Sequence, residues 1–379
     1  MNFTLITASN FFFFCNFSSF FLLPVFIRDL GGGEAQIGYI MGSFGVTSLL
    51  CIPFVSAMSD RGGRKAFMAA GAALMTGASV CFLFIDSLGY TIYILRLIQG
   101  AGFAAFFTSA AAAVSDVAEK DRVAERLGIF GAFTIFSYAV GPGAGEWIMQ
   151  TRAAEGLFVY SSVFGGVSFI LALLVKDENF KPQAGRRWTG GFFNLVVAKR
   201  YRTILFANLM LAVGLGSLLN FFAVFSSESG FAASRFFLTY AVTVITVRIL
   251  SSKLADRVGR KTVAAPALFV AAVSLFLVSQ TRSDLQAVLF CILFSAGYGL
   301  LYPALGAMIT DRTKTGMAKA MGAFNSSFSV GINYAAFPLG IAAEMFGLRA
   351  MYAIAGAAVL CGFFVFLIFE RETAGTAKT

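Results

Sequence analysis

The sequence predicts an all-α membrane protein, with 12 transmembrane helices in two pseudo-symmetric six-helix bundles and both termini cytoplasmic. Three observations carry that prediction. The 379 residues are 58% hydrophobic and 13% charged, more apolar surface than a soluble fold can cover, so the bilayer must act as solvent. Apolar stretches near the ~20-residue spanning length recur along the chain. One charged turn occurs twice: Ser56-Ala-Met-Ser-Asp-Arg-Gly-Gly-Arg-Lys65 returns as Ser252-Lys-Leu-Ala-Asp-Arg-Val-Gly-Arg-Lys261, with Asp60 and Asp256 196 residues apart.

In chain order, the first span (3–27) is rich in Phe and has neither a basic leader nor a small-residue cleavage site, so it is expected to be retained. The second (35–58) ends in the first charged turn, and the third (66–85) starts after it. The fourth (90–114) contains Arg96 and a Gly-x-Gly, the fifth (124–150) a Gly-Pro-Gly, and the sixth (157–175) is followed by the longest polar stretch, Lys176 to Arg202. That stretch is expected to be a cytoplasmic linker (177–202) between an N-terminal bundle, 1–176, and a C-terminal bundle, 203–379. The second half repeats the plan with spans at 203–226, 235–254, 262–281, 285–309, 316–343 and 347–369, the eighth ending in the second charged turn. Six of the seven prolines fall in or at the ends of spans, where membrane helices tolerate them as kinks. Of the 29 basic residues, 22 lie on the side of Asp60 and Asp256, five on the opposite side and two, Arg96 and Arg248, within spans. The positive-inside rule therefore places the charged turns and both termini in the cytoplasm.

Composition also excludes. The net charge of +10 sits in short loops between spans, which argues against nucleic acid. There is no histidine, so no His relay or His metal site. Cys15, Cys51, Cys81, Cys291 and Cys361 are scattered through apolar spans and read as small buried residues rather than disulfides or metal ligands. No clustered intramembrane carboxylates are present, so an enzyme is not expected. No cofactor and no metal is expected.

Both charged turns resemble the loop signature between the second and third helices of the major facilitator superfamily, with Ser56 and Ser252 where that family usually has Gly. The resemblance implies a conformational latch of Asp60, Arg61, Gly63, Arg64 and Asp116 in the first half, and Asp256, Arg257, Gly259, Arg260 and Asp311 in the second. Its acids can pair with Arg or face a helix N-terminus. The duplication extends to Gly100-Ala-Gly102 and Gly297-Tyr-Gly299, offset 197, and to Asp116 and Asp311, offset 195.

Arg96-Leu-Ile-Gln-Gly-Ala-Gly102 resembles the superfamily's fourth-helix motif, whose Arg is linked to proton coupling or substrate approach. An arginine that snorkels outward or ties down a neighbouring helix is the alternative. Gly141-Pro142-Gly143-Ala144-Gly145 resembles the fifth-helix motif of drug and metabolite exporters. Helices one, four, seven and ten line the cavity in that superfamily, which together with neighbouring polar positions gives Asn16, Arg96, Gln99, Asn220, Tyr298, Tyr302, Asn325 and Asn333 as candidate cavity residues. Interhelical hydrogen bonds account for them equally well. Glu146, with Arg96 as its expected partner, and Asp29 are the candidate proton carriers, since a carboxylate shielded from water can exchange a proton near neutral pH. A periplasmic loop acid beside Trp147 is the alternative reading of Glu146.

The resemblance implies a monomeric, multi-pass secondary transporter of the cytoplasmic membrane, whose partners are a small-molecule substrate, protons and membrane lipid. Proton-coupled efflux by alternating access is the first expectation. Proton-coupled import of a sugar, carboxylate or other metabolite, and transport of a lipid or lysolipid, are the alternatives.

Overall fold

The computed structural model describes residues 2–177, 199–251, 254–313 and 317–370. Its helices are α1 (Asn2–Asp29), α2 (Glu34–Gly62), α3 (Arg64–Phe84), α4 (Tyr90–Val117), α5 (Val123–Arg152), α6 (Ala154–Leu174), α7 (Arg200–Ser229), α8 (Ala233–Leu250), α9 (Arg260–Ser279), α10 (Asp284–Asp311), α11 (Met317–Tyr334), α12 (Ala336–Phe346) and α13 (Leu348–Phe369). A short helix, Leu254–Val258, lies between α8 and α9. Among the described residues there is no strand.

Eleven of these are long and apolar enough to cross a membrane. The eleventh expected span, 316–343, is instead split into α11 and α12. Pro338 explains the break: it has no N–H, and its ring collides with the carbonyl four residues back, which belongs to Tyr334, where α11 ends. α11 also carries Lys319, Asn325, Ser326, Ser327, Ser329 and Asn333, which makes it the polar member of the set. The expected linker falls mostly on 178–198, outside the described residues.

Two other irregularities follow from backbone chemistry. A 3-10 turn, Phe20–Leu22, interrupts α1 just ahead of Pro24. Helical geometry continues without pause from Val123 to Leu174, yet the Tyr160 hydroxyl donates to the Val140 carbonyl at 3.2 Å. Twenty residues of straight helix span about 30 Å, so the chain must double back between them, and α5 and α6 run side by side.

The chain divides into two compact units, Met1–Trp188 with Asn220–Ala241, and Thr189–Leu219 with Val242–Thr379. In the first, α1 is central and packs along α5 and α6. Phe13 stacks on Phe106 at 4.0 Å, among buried Ile6, Phe14, Met68 and Met75. In the second, α9 packs between α10 and α13, and Asn208 of α7 donates to the Phe324 carbonyl and the Ser327 hydroxyl of α11, both at 2.9 Å. Phe54, Phe84 and Leu250 are exposed. In water such residues would be an aggregation liability, but in a bilayer they are the solvated face.

Candidate functional site

The first charged turn is built around Gly63, whose φ of 95° lies where only glycine sits without strain. The turn brings Arg64 to the start of α3 with its side chain almost buried. Its Nη1 donates to Asp60 Oδ1 at 2.5 Å and its Nε to Asp116 Oδ2 at 2.9 Å. Behind it, Ser109 donates to Ser59 at 3.0 Å, tying α4 to α2. The Lys65 N–H donates to Asp177 Oδ1 at 3.2 Å, past the end of α6. One guanidinium thus joins the ends of α2, α3 and α4, while Arg61 is exposed.

The second turn repeats this construction within its own unit. Gly259 has φ 98°, Arg260 pairs with Asp311 at 2.5 Å, and Lys261 Nζ donates to the Glu370 carbonyl at 2.5 Å. Arg257 is exposed, and the side chain of Asp256 lies outside the described residues. Glu370 also forms an ion pair with Arg312.

At the repeated Gly-x-Gly the two halves exchange neighbours. A Cβ on Gly102 would meet Gly71 of α3 at 2.9 Å, and one on Gly297 would meet Ala267 of α9 at 2.7 Å. Gly100 presses on Phe44 and Thr47 of α2, while Gly299 faces Val247 of α8 at 3.1 Å. By contact, Gly102 corresponds to Gly297 and Gly100 to Gly299, offsets of 195 and 199 that lie on either side of the 197 of the aligned Gly-x-Gly.

Arg96 is 3% exposed and Gln99 fully buried. Arg96 Nη1 donates to Gln99 Oε1 at 2.8 Å, and the guanidinium lies 4.9 Å from the Phe44 ring and 6.0 Å from that of Phe20. Glu146, its expected partner, is committed elsewhere. Oε1 accepts from the Ala233 N–H at 2.8 Å and Oε2 from the Ser234 N–H at 2.7 Å. Glu146 therefore caps the N-terminus of α8, where unpaired N–H groups and the helix dipole favour an anion. The Gly-Pro-Gly segment serves this placement: Gly141 packs on the α1 backbone at Cys15, close to Ser18, with no room for a Cβ.

At the same end of this unit, Arg28 bridges Glu34 at 2.6 Å and Glu228 at 2.8 Å. None of the three was singled out from sequence, although Arg28 is one of only five basic residues on its side, and that scarcity is a signal. Asp29 beside it is exposed.

Asn16 is fully buried, accepts from Ser79 of α3 at 3.0 Å and faces Gly165 of α6. Asn220 is buried in α7. Tyr298 and Tyr302 lie beneath Arg248, 5.6 and 5.9 Å from its guanidinium, and Tyr302 donates to Asn325 at 3.2 Å. Asn333 donates to the Ser329 carbonyl of its own helix at 2.9 Å.

A duplicated multi-pass helical chain, braced at one end of each repeat by an Arg–Asp pair and holding buried polar groups in its spans, is the build of a membrane transporter. The family model of the Major Facilitator Superfamily matches residues 5–336 and, in a second match, 227–379. The chain belongs to that superfamily of transporters and is a multi-pass protein of the cytoplasmic membrane. It is 25% identical over 328 residues to the multidrug resistance efflux pump PmrA of Streptococcus pneumoniae, covering 81% of this chain and 79% of the relative. It is 22% identical over 366 residues to an uncharacterised MFS-type transporter of Methanocaldococcus jannaschii, covering 92% and 93%. The crystal structure of the nucleoside transporter NupG superposes with a TM-score of 0.79 at 16% identity, covering 98% of this chain and all of that one.

Proposed function

We propose that the protein exports a small organic molecule in exchange for protons, by alternating access of its halves 1–176 and 203–379 with both termini in the cytoplasm. The observation that carries the reading is the Glu146 carboxylate on the α8 N-terminus, one turn beyond Gly141-Pro142-Gly143. The cap forms with an ionised carboxylate. Opening of this end, the outer one in the proposed orientation, withdraws Glu146 from the Ala233 and Ser234 N–H groups and leaves it to take a proton. Re-forming the cap requires that proton to leave again, which ties closure to proton release. The likeness to PmrA, named as an efflux pump, supports the export direction.

The test is transport into everted vesicles with an acidified interior, using an anionic, a neutral and a cationic fluorescent probe. Export predicts acid-driven accumulation of at least one probe. Accumulation only under the reversed pH gradient overturns it in favour of import.

A further inference from the structure

Arg96 is a buried cation without a counter-ion. Among the described residues no carboxylate pairs with it, and Glu146 gives both oxygens to the α8 backbone. Among the described residues Arg96 Nε has no acceptor, and neither has the adjacent Gln99 Nε2. The Phe44 and Phe20 rings lie against the guanidinium and offset part of its charge. A ring face does not, however, supply the in-plane acceptor that an N–H requires. Charge inside a membrane span is costly and marks function, and a buried donor left unpaired adds to that cost.

Two buried donors side by side, one of them charged, match a group with two oxygens and a negative charge. Carboxylate, sulfonate and phosphate have that geometry, and arginine holds them in its planar fork. From Arg96 a train of rings leads onward. Phe44 lies 5.3 Å from Phe17 and 5.4 Å from Phe103, and Phe17 lies 6.2 Å from Tyr138. Phe17, Phe103 and Tyr138 are only half-buried. A cation at one end of a partly open aromatic wall suits a molecule with an anionic head and a flat apolar body.

We propose that Arg96 and Gln99 bind the anionic head of the transported molecule, which is therefore an amphipathic organic anion lying against Phe17, Phe103 and Tyr138. This names the substrate class for the export reading and rests on it. The head chemistry is shared by water-soluble aromatic acids and by anionic lysolipids.

The test uses purified full-length protein in nanodiscs, with dissociation constants taken from the concentration dependence of the melting temperature. Naphthalene-2-carboxylate is compared with its uncharged isostere, naphthalene-2-carboxamide. Wild type is expected to bind the acid about tenfold or more tightly than the amide, since the buried donors go unpaired without it. Arg96→Gln is expected to erase that preference without lowering the melting temperature of the unliganded protein, because it removes a buried unpaired charge. Arg96→Lys is expected to keep part of the preference. Displacement of the naphthoate by lysophosphatidylglycerol but not by naphthalene-2-sulfonate assigns a lipid substrate, and the reverse assigns a soluble one; either supports the inference. Wild type with no preference for the acid, or an Arg96→Gln protein that keeps it, overturns the inference. Everted vesicles separate it from export. Acid-driven accumulation of the cationic probe alone keeps export and overturns the anion assignment. Naphthoate binding without any acid-driven accumulation keeps the anion site and overturns export.

Discussion

Glu146 Oε2 accepts the backbone N–H of Ser234 at 2.7 Å, across 88 residues of sequence, while its other oxygen takes the N–H of Ala233. A side chain from α5 thus supplies the start of α8 with the acceptor that its first turn lacks.

Replacing Glu146 by Gln keeps one acceptor but removes the charge and turns a donor toward the second N–H. We predict that Glu146→Gln lowers acid-driven transport by about tenfold or more, while binding of substrate changes little. A cysteine placed at the exposed position 147, in a protein freed of its five native cysteines, should label faster in this variant. Full acid-driven accumulation by Glu146→Gln would pass the proton role to Asp29 or another acid.

Arg64 serves two carboxylates, so its loss should cost more than the loss of either. Arg64→Gln is predicted to destabilise by about 2 kcal/mol and Asp116→Asn by about 1 kcal/mol. The double variant should fall short of their sum, since the pair is in contact. Melting temperatures of the solubilised protein check this, and strict additivity would show the contact to be energetically idle.

Two glycines of α3 separate packing from propensity. A Cβ at Gly71 would lie 2.5 Å from the Gly102 carbonyl, whereas one at Gly77 meets nothing within 4 Å. Gly71→Ala is predicted to cost about 1–3 kcal/mol by overpacking, and Gly77→Ala to gain about 0.5–1 kcal/mol of helix propensity. Equal effects on the melting temperature would contradict the close α3–α4 contact.

The duplicated turns share a backbone but not its surroundings. At Gly63 a Cβ would approach Asp177 Oδ2 to 2.5 Å, and at Gly259 the nearest atom among the described residues, on Thr262, is 3.4 Å away. Both Ala variants carry about 1–2 kcal/mol of left-handed strain. Gly63→Ala should lose more, because it also disturbs the Asp177 bond to Lys65. A larger loss from Gly259→Ala would invert the argument.

Much of this was legible in the sequence because the bilayer sets a length. Apolar runs near that length fix the helices, and the repeated Asp-Arg-x-Gly-Arg-Lys marks the Arg64–Asp116 and Arg260–Asp311 braces. The partner of Glu146 was not legible, because a backbone N–H has no residue signature and Ala233 and Ser234 look ordinary. The neighbours of the repeated glycines were hidden for a related reason. Gly-x-Gly aligns with itself by eye, but which glycine meets which neighbour depends on helix rotation. The return of the chain near Arg152 was legible in the gap between the expected spans 124–150 and 157–175, and the structure marks it with the Tyr160–Val140 bond and the approach of Gly145 to Leu157.

The polarity of α11 bears on how the protein is made. A segment holding Lys319, Asn325, Ser326, Ser327, Ser329 and Asn333 gains little by leaving the translocon for lipid on its own. The bond from Tyr302 to Asn325 shows that α10, already inserted when α11 emerges, offers a surface on which those groups are satisfied. Membrane entry of α11 is thus expected to be a paired event that waits on its predecessor. Glycosylation mapping of α11 alone and of α10–α11 together tests this: insertion of α11 by itself, at the efficiency of the pair, would show that biogenesis needs no such escort.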